Sequence, residues 1–340
     1  MAWRSKGASA SPEEIDRAWR RSLRAAIAGD WPNAETWLER IVEADSKDLD
    51  AVHALARLYR QRGAVDRSLR MHQNLLLRSE LNRTVRAEAL LELARDFEVG
   101  GYKERAAATY EEILHVQPRN KEVLERLVSL SYDLKEFPRA LALVRRLRRW
   151  DRKLGGRFEV EILLSQAQVL REEGNHDGAR ASIKRCLRRD KTCGLAWTML
   201  GELEAERGRT AKALAAWKRG AAVDETVAPA LYPKIAASFA ARGKPADFDQ
   251  YLLKIIEDRP SDHAAHIALS RARAGRGDTS LAVEVLARAI ELAPEHLGLR
   301  AELGRQLIAS GQDAEALKAY ADLLDALERA SISLHPEASV

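Results

Sequence analysis

His263 and His266 are the residues of this 340-residue chain whose spacing best suits a shared metal ion, because positions three apart lie on one face of a helix. No carboxylate or third ligand stands at a spacing that would complete the site. The pair therefore reads as two packing histidines, and no metal or cofactor is expected. Cys186 and Cys193 are the only cysteines, too few for a disulfide framework or a four-ligand zinc site. Reduced thiols acting as small hydrophobes account for them. Gly243-Lys244 lacks the upstream glycine and the hydroxyl residue of a phosphate-binding loop. No serine, cysteine or lysine is marked as an activated nucleophile, so the chain is not expected to be an enzyme.

Charge is the other chemistry that the sequence offers. Arg139, Arg145, Arg146, Arg148, Arg149, Arg152, Lys153 and Arg157 face only Asp151 in their stretch, so the net charge of +5 is concentrated there and the remainder is slightly acidic. Such a basic ridge suits phosphates of nucleic acid, lipid headgroups or an acidic protein. Trp150 is the only aromatic available for base stacking, which argues against nucleic acid and for a solvated helix face. Trp3, Trp19, Trp31 and Trp37 cluster near the start, where packing, a partner or a bilayer surface each account for tryptophan.

The elements that carry these residues repeat. Ala34, Ser68, Ala106, Ala140, Ala179, Ala213, Ala282 and Ala316 hold one recurring small position, with Phe248 standing in the seventh unit, at steps of 34 to 39 residues. A glycine precedes by five residues at Gly29, Gly63, Gly101, Gly174, Gly208, Gly243, Gly277 and Gly311. A helix before each glycine and another after it, at a period near 34, is the signature of tetratricopeptide repeats. Scarce proline and abundant Ala, Leu, Arg and Glu favour helix throughout.

The fold class is thus all-α: a right-handed tetratricopeptide repeat (TPR) solenoid of about nine helix-turn-helix repeats. The helix pairs are expected at 12–45, 48–79, 84–117, 120–153, 157–190, 193–224, 227–258, 261–293 and 295–328. The solenoid spans 12–328, flanked by disordered segments at 1–11 and 329–340. Extra residues fall after the second and fourth units, where Leu154-Gly155-Gly156 reads as a loop. The seventh unit, with Lys244-Pro245 at its turn, is the most irregular. Leu323, Leu324 and Leu327 close the last unit without a polar cap, which suggests a further packing partner there. No apolar run is long enough for a signal peptide or a membrane span, and a cytoplasmic protein is expected.

One segment is more specific than a generic repeat. RGAVDRSLRMHQNLL, residues 62–76, resembles the second repeat of the lipopolysaccharide assembly protein B family, where an RGEVDRAIRIHQ-type string is characteristic. Leu93, Arg95, Asp96, Phe97, Gly101, Arg105 and Ala106 continue the likeness, and Asp190-Lys191, Met199-Leu200-Gly201, Gly208 and Lys212-Ala213 extend it more weakly. The resemblance implies a non-catalytic adaptor at the cytoplasmic face of the inner membrane. It implies as partners a membrane AAA+ protease and the lipid A pathway deacetylase whose proteolysis balances lipopolysaccharide against phospholipid. Family members usually carry a transmembrane anchor and a rubredoxin-like zinc module, and neither pattern occurs between residues 1 and 340. The alternative is a general TPR scaffold for another envelope, secretion or chaperone assembly.

Within the matched string, Arg62, Gly63, Asp66, Arg67, Arg70, His72 and Gln73 are the motif residues. His72 takes a normally buried position and is expected to be a hydrogen-bonded framework histidine, while Arg62, Asp66, Arg67 and Arg70 suit a charge network at the turn. Repeat geometry places the first-helix residues His53, Arg57, Arg95, Thr198, Glu202 and Glu206 toward a groove that receives a protein partner.

Overall fold

A computed structural model describes residues 11–79 and 81–334, with side chains described as far as residue 328. Among the described residues all regular structure is helical. The chain divides into an N-terminal unit ending at Ile162 and a C-terminal unit beginning at Leu163. The N-terminal unit holds α1 (Pro12–Ile27), α2 (Trp31–Ala44), α3 (Leu49–Gln61), α4 (Val65–Leu76), α5 (Arg83–Val99), α6 (Lys103–Val116), α7 (Lys121–Asp133) and α8 (Phe137–Leu147). The boundary falls within α9 (Arg152–Glu172). The C-terminal unit continues with α10 (His176–Arg189), α11 (Gly194–Glu206), α12 (Thr210–Val223), α13 (Ala228–Ala240), α14 (Pro245–Asp258), α15 (His263–Ala274), α16 (Thr279–Leu292), α17 (Leu297–Ala309) and α18 (Asp313–Leu334). Helix α18 thus passes the expected end of the solenoid at 328. The termini expected to be disordered otherwise lie outside the described residues.

Short polar side chains start many of these helices. Asp48 accepts from Ala51 N at 2.9 Å and Asn82 from Val85 N at 2.9 Å, satisfying amides that the first turn leaves without partners. Each of the eight repeat glycines closes a first helix with positive φ, the conformation a side chain disfavours. In the fourth unit Lys135 holds that place with φ 58°. All nine residues at the recurring small position are buried, Phe248 included.

Packing follows the chain order. In the N-terminal unit neighbours pack in sequence from α1 to α8, in the C-terminal unit from α10 to α18, and first helices touch across repeats where α3 meets α5, α13 meets α15 and α15 meets α17. Gly201 of α11 lies against the Trp217 indole of α12, and a Cβ there would sit 2.2 Å from its ring. Gly304 does the same for Tyr320 in the last repeat. Burying one such large side chain contributes about 2 kcal/mol.

Leu154, Gly155 and Gly156 do not form a loop. Asp151 Oδ1 accepts from Leu154 N at 2.8 Å, starting α9, and both glycines lie inside that helix. A Cβ at Gly155 would stand 2.3 Å from Arg148 Cγ, so the residue serves close approach rather than chain reversal. The extra residues of the third and fifth units likewise lengthen first helices: α5 has 17 residues and α9 has 21, against 13 in α3. The added length is about one turn in α5, which returns that helix nearly to the same face, and about two turns in α9.

Candidate functional site: charge ladders and cavities of the repeats

In the N-terminal unit a chain of polar contacts runs from α3 through α4 into α5. His53 Nδ1 lies 3.1 Å from His72 Nε2, and His72 Nδ1 lies 2.5 Å from Asp96 Oδ2. With both rings neutral, Asp96 accepts from His72 Nδ1–H, and His72 Nε2 then accepts from His53 Nδ1–H. His53 Nε2 is left buried with no hydrogen-bond partner. Asp96 Oδ1 also accepts from Ser68 Oγ at 2.6 Å and from Arg60 Nη1 at 2.7 Å.

Arg60 Nη2 continues to Glu92 Oε2 at 2.8 Å, and Glu92 Oε1 accepts from Arg57 at 2.8 Å and from Arg95 at 2.6 Å. Arg95 also donates to Glu122 of α7 at 2.5 Å. Burial pushes the Glu92 carboxyl upward, but the guanidinium groups of Arg57 and Arg60 outweigh it and hold the pKa at about 2. His53 is lowered, chiefly by burial and then by its neighbour His72.

His53 is therefore turned toward α4, because the buried Asp96 and His72 demand a hydrogen-bonding neighbour. Arg57 and Arg95 do sit on the first-helix face, tied to carboxylates. Of the motif string, His72 and Ser68 are fully buried. Arg62 pairs with Glu35 of the first repeat, and Arg67 reaches Glu35 Oε1 at 3.5 Å while its guanidinium stacks over Tyr59. The turn network thus uses a carboxylate of the preceding repeat and not Asp66, which with Arg70 and Gln73 is exposed. Gly63 makes the turn, with φ 80°.

A second ladder runs over the first helices of the C-terminal unit. Arg171 of α9 donates to Glu202 at 3.0 Å and to Glu206 at 2.9 Å, and Lys234 of α13 reaches the other oxygen of Glu202. Thr198 bonds back to the Gly194 carbonyl at 3.0 Å within α11. Arg271 of α15 holds Glu302 of α17 with bonds of 2.9 and 2.7 Å. Burial again opposes ionisation of Glu202 and Glu302, and the paired cations lower both carboxyls below their usual range.

The seventh repeat breaks the pattern. Phe248 fills the position that is otherwise Ala or Ser, and it clusters with Phe239 at a centroid distance of 6.2 Å and with Tyr251 at 6.4 Å. A bulky ring at a close-approach position wedges a helix pair open, and two cavities flank this one. The first, of about 490 Å³, lies between α13 and α15 on the first-helix face. Pro229 and Pro233 form one wall, Ala264, Ala268 and Ala272 the other, with Phe248 at the base and Arg271 beside them. Pro233 has no N–H, so the Pro229 carbonyl on the wall lacks its helical donor. The second cavity, of about 660 Å³, lies between α12 and α14.

The basic ridge is partly neutralised. Arg139 pairs with Glu111 at 2.8 Å and Glu136 at 2.5 Å, and Arg148 with Glu159 at 2.8 Å. Arg145 bonds the Leu141 carbonyl and Arg146 that of Pro118, whereas Arg149 and Arg152 are exposed. His266 bonds the Pro260 carbonyl at 3.1 Å and His263 meets the His296 ring at a tilt of 58° with centroids 4.2 Å apart, so each ring is engaged separately. Cys186 and Cys193 are both free thiols, and a hydrogen bond from Cys186 is the main influence lowering Cys193 to about 7.

Arg60, Glu92, Asp96 and the alanine wall carry the geometry and escape a reading of single residues. Alanine at every fourth place of α15 and proline at 229 and 233 are the signals that mark the cavity.

No helix among the described residues is long and apolar enough to cross a membrane. The tetratricopeptide repeat sequence profile matches residues 91–152 and 164–226. Lipopolysaccharide assembly protein B of Escherichia coli strain K12 is 24% identical over 222 residues, covering 64% of this chain and 56% of that protein. The protein of the same name from Haemophilus influenzae is 27% identical over 177 residues, covering 52% and 44%. The chain spans about half the length of these curated relatives. A tetratricopeptide repeat protein from Parabacteroides merdae is a structural neighbour at 14% identity and a TM-score of 0.40, covering 87% of this chain and 99% of that one. The fold is that of a tetratricopeptide repeat solenoid, and the chain is similar to lipopolysaccharide assembly protein B.

Proposed function

We propose that this chain is a non-catalytic adaptor that captures a segment of a protein partner on the first-helix face of its C-terminal unit. It acts in the control of lipopolysaccharide synthesis at the cytoplasmic face of the inner membrane. The observation that carries the docking site is the cavity between α13 and α15, the apolar interruption in a face otherwise laced by ion pairs. An apolar anchor side chain would leave water there, while the neighbouring Arg271 and the open Pro229 carbonyl supply polar partners for a backbone. The likeness to lipopolysaccharide assembly protein B supports the pathway, with the lipid A deacetylase and a membrane AAA+ protease as the partners.

The test is affinity capture from lysate with the full chain as bait beside Ala268→Trp, which fills the cavity. Recovery of the deacetylase or the protease, lost with Ala268→Trp while helicity is retained, supports the proposal. Equal recovery by both baits rejects the cavity as the docking site, and recovery of unrelated envelope proteins alone rejects the pathway.

A further inference from the structure

The cavity between α12 and α14 lies on the second-helix side and is not used by the proposed partner site. Its floor is apolar, with Leu214, Ala215 and Ile255. Four cations line it: Lys218 and Arg219 of α12, Arg242 after α13, and Lys254 of α14, against Asp258. None of the four makes an ion pair among the described residues, in a chain whose first-helix arginines are mostly held by carboxylates. The Lys218 ammonium lies over the Tyr251 ring at 4.6 Å and the Phe239 ring at 5.6 Å, which fixes it without cancelling its charge. An apolar furrow between two helices with uncompensated cations along it calls for an acidic segment that carries apolar side chains.

The chain itself presents such a segment. Between 313 and 328, helix α18 carries Asp313, Glu315, Asp322, Asp325 and Glu328 against Lys318 alone. Leu317 and Leu324, seven residues apart and therefore on one face, are 72% and 61% exposed, and Leu327 is 44% exposed. Pairing of α18 with another α18 would set acid against acid. We infer that the α12/α14 furrow receives α18 of a second copy of this chain, its leucines on the Leu214 and Ile255 floor and its carboxylates on Arg219, Arg242, Lys218 and Lys254. Since each copy carries both halves, a two-fold axis makes the contact twice.

The experiment is sedimentation equilibrium of the full chain at low and high salt, with Arg219→Glu/Lys254→Glu on the furrow and Glu315→Lys/Asp322→Lys on α18. All four positions are exposed or half-exposed, and circular dichroism checks that each variant stays folded. The wild type is expected to dimerise at low salt and to dissociate at high salt. Each double variant should weaken self-association by about tenfold or more, and an equimolar mixture of the two should restore it through the reversed pairs. A wild type monomeric at every concentration overturns the inference, as does a dimer indifferent to both variants. Dissociation by Leu317→Glu/Leu324→Glu but not by the furrow variant overturns it too, because α18 would then dock elsewhere.

Discussion

The Glu92 carboxylate shows how a single residue ties the stability of the N-terminal unit to pH. Its folded pKa of about 2 lies below the ordinary value of 4.5. The stabilisation, on the order of 3 kcal/mol, is therefore complete above about pH 4.5 and is lost as pH falls toward 2. The lowered pKa of His53 works in the same direction, since protonation at that partly buried site opposes the fold. Urea titrations at a series of pH values should show this acid slope in the wild type and a flatter one in Glu92→Gln, which also starts less stable. The wild-type slope persisting in the variant would place the acid sensitivity elsewhere. None of this was legible in the sequence, because Arg60, Glu92 and Asp96 are residues of the kind that line any exposed helix. What makes them a core is the 32 to 36 positions between partners, which only the repeat brings together.

At the scale of the helix, the turns were the most legible feature, and the fourth one is the exception that explains the rule. Eight glycines sit where φ is positive because a side chain there is disfavoured, and Lys135 adopts the same conformation at a cost of roughly 1 kcal/mol. Replacing Lys135 with glycine should stabilise the chain by somewhat less than that, since the glycine also loosens the unfolded state. Thermal denaturation reads the difference, and a lower midpoint would mean that the lysine side chain contributes more than its backbone costs. The same reliance on glycine as a sign of turns failed at 154–156, where glycine serves helix contact against Arg148. Composition alone does not separate those two uses.

At the scale of the molecule, stability in stacked repeats is close to a sum of neighbour interfaces, so protection should follow neighbours. Amide exchange is expected to be slowest in helices flanked on both sides, such as α7 and α11, and faster in α1 and α18. A dip is expected at α13 and α14, where Phe248 separates the pair and α13 leans on α15 as much as on its own partner. Uniform protection across α11 to α16 would argue against a wedge at the seventh repeat. The repeat period was visible in the chain from its small residues. The cavities beside Phe248 were not, because a missing alanine signals irregularity without saying which side opens.

The ladders over the first helices have a consequence for how the repeats are ordered. Arg57 reaches Glu92, Arg95 reaches Glu122, Arg171 and Lys234 meet around Glu202, and Arg271 faces Glu302, each across a repeat boundary. The hydrophobic scheme is nearly the same in every unit and would tolerate their exchange. The charges are not: transplanting α9 and α10 to the place of α11 and α12, a step of 34 residues from Gly174 to Gly208, would set Gln168 where Glu202 stands and leave Lys234 without its carboxylate. The ion pairs act as a parity check on the sequence of modules, so a shuffled or slipped stack is penalised even where its oily contacts would fit.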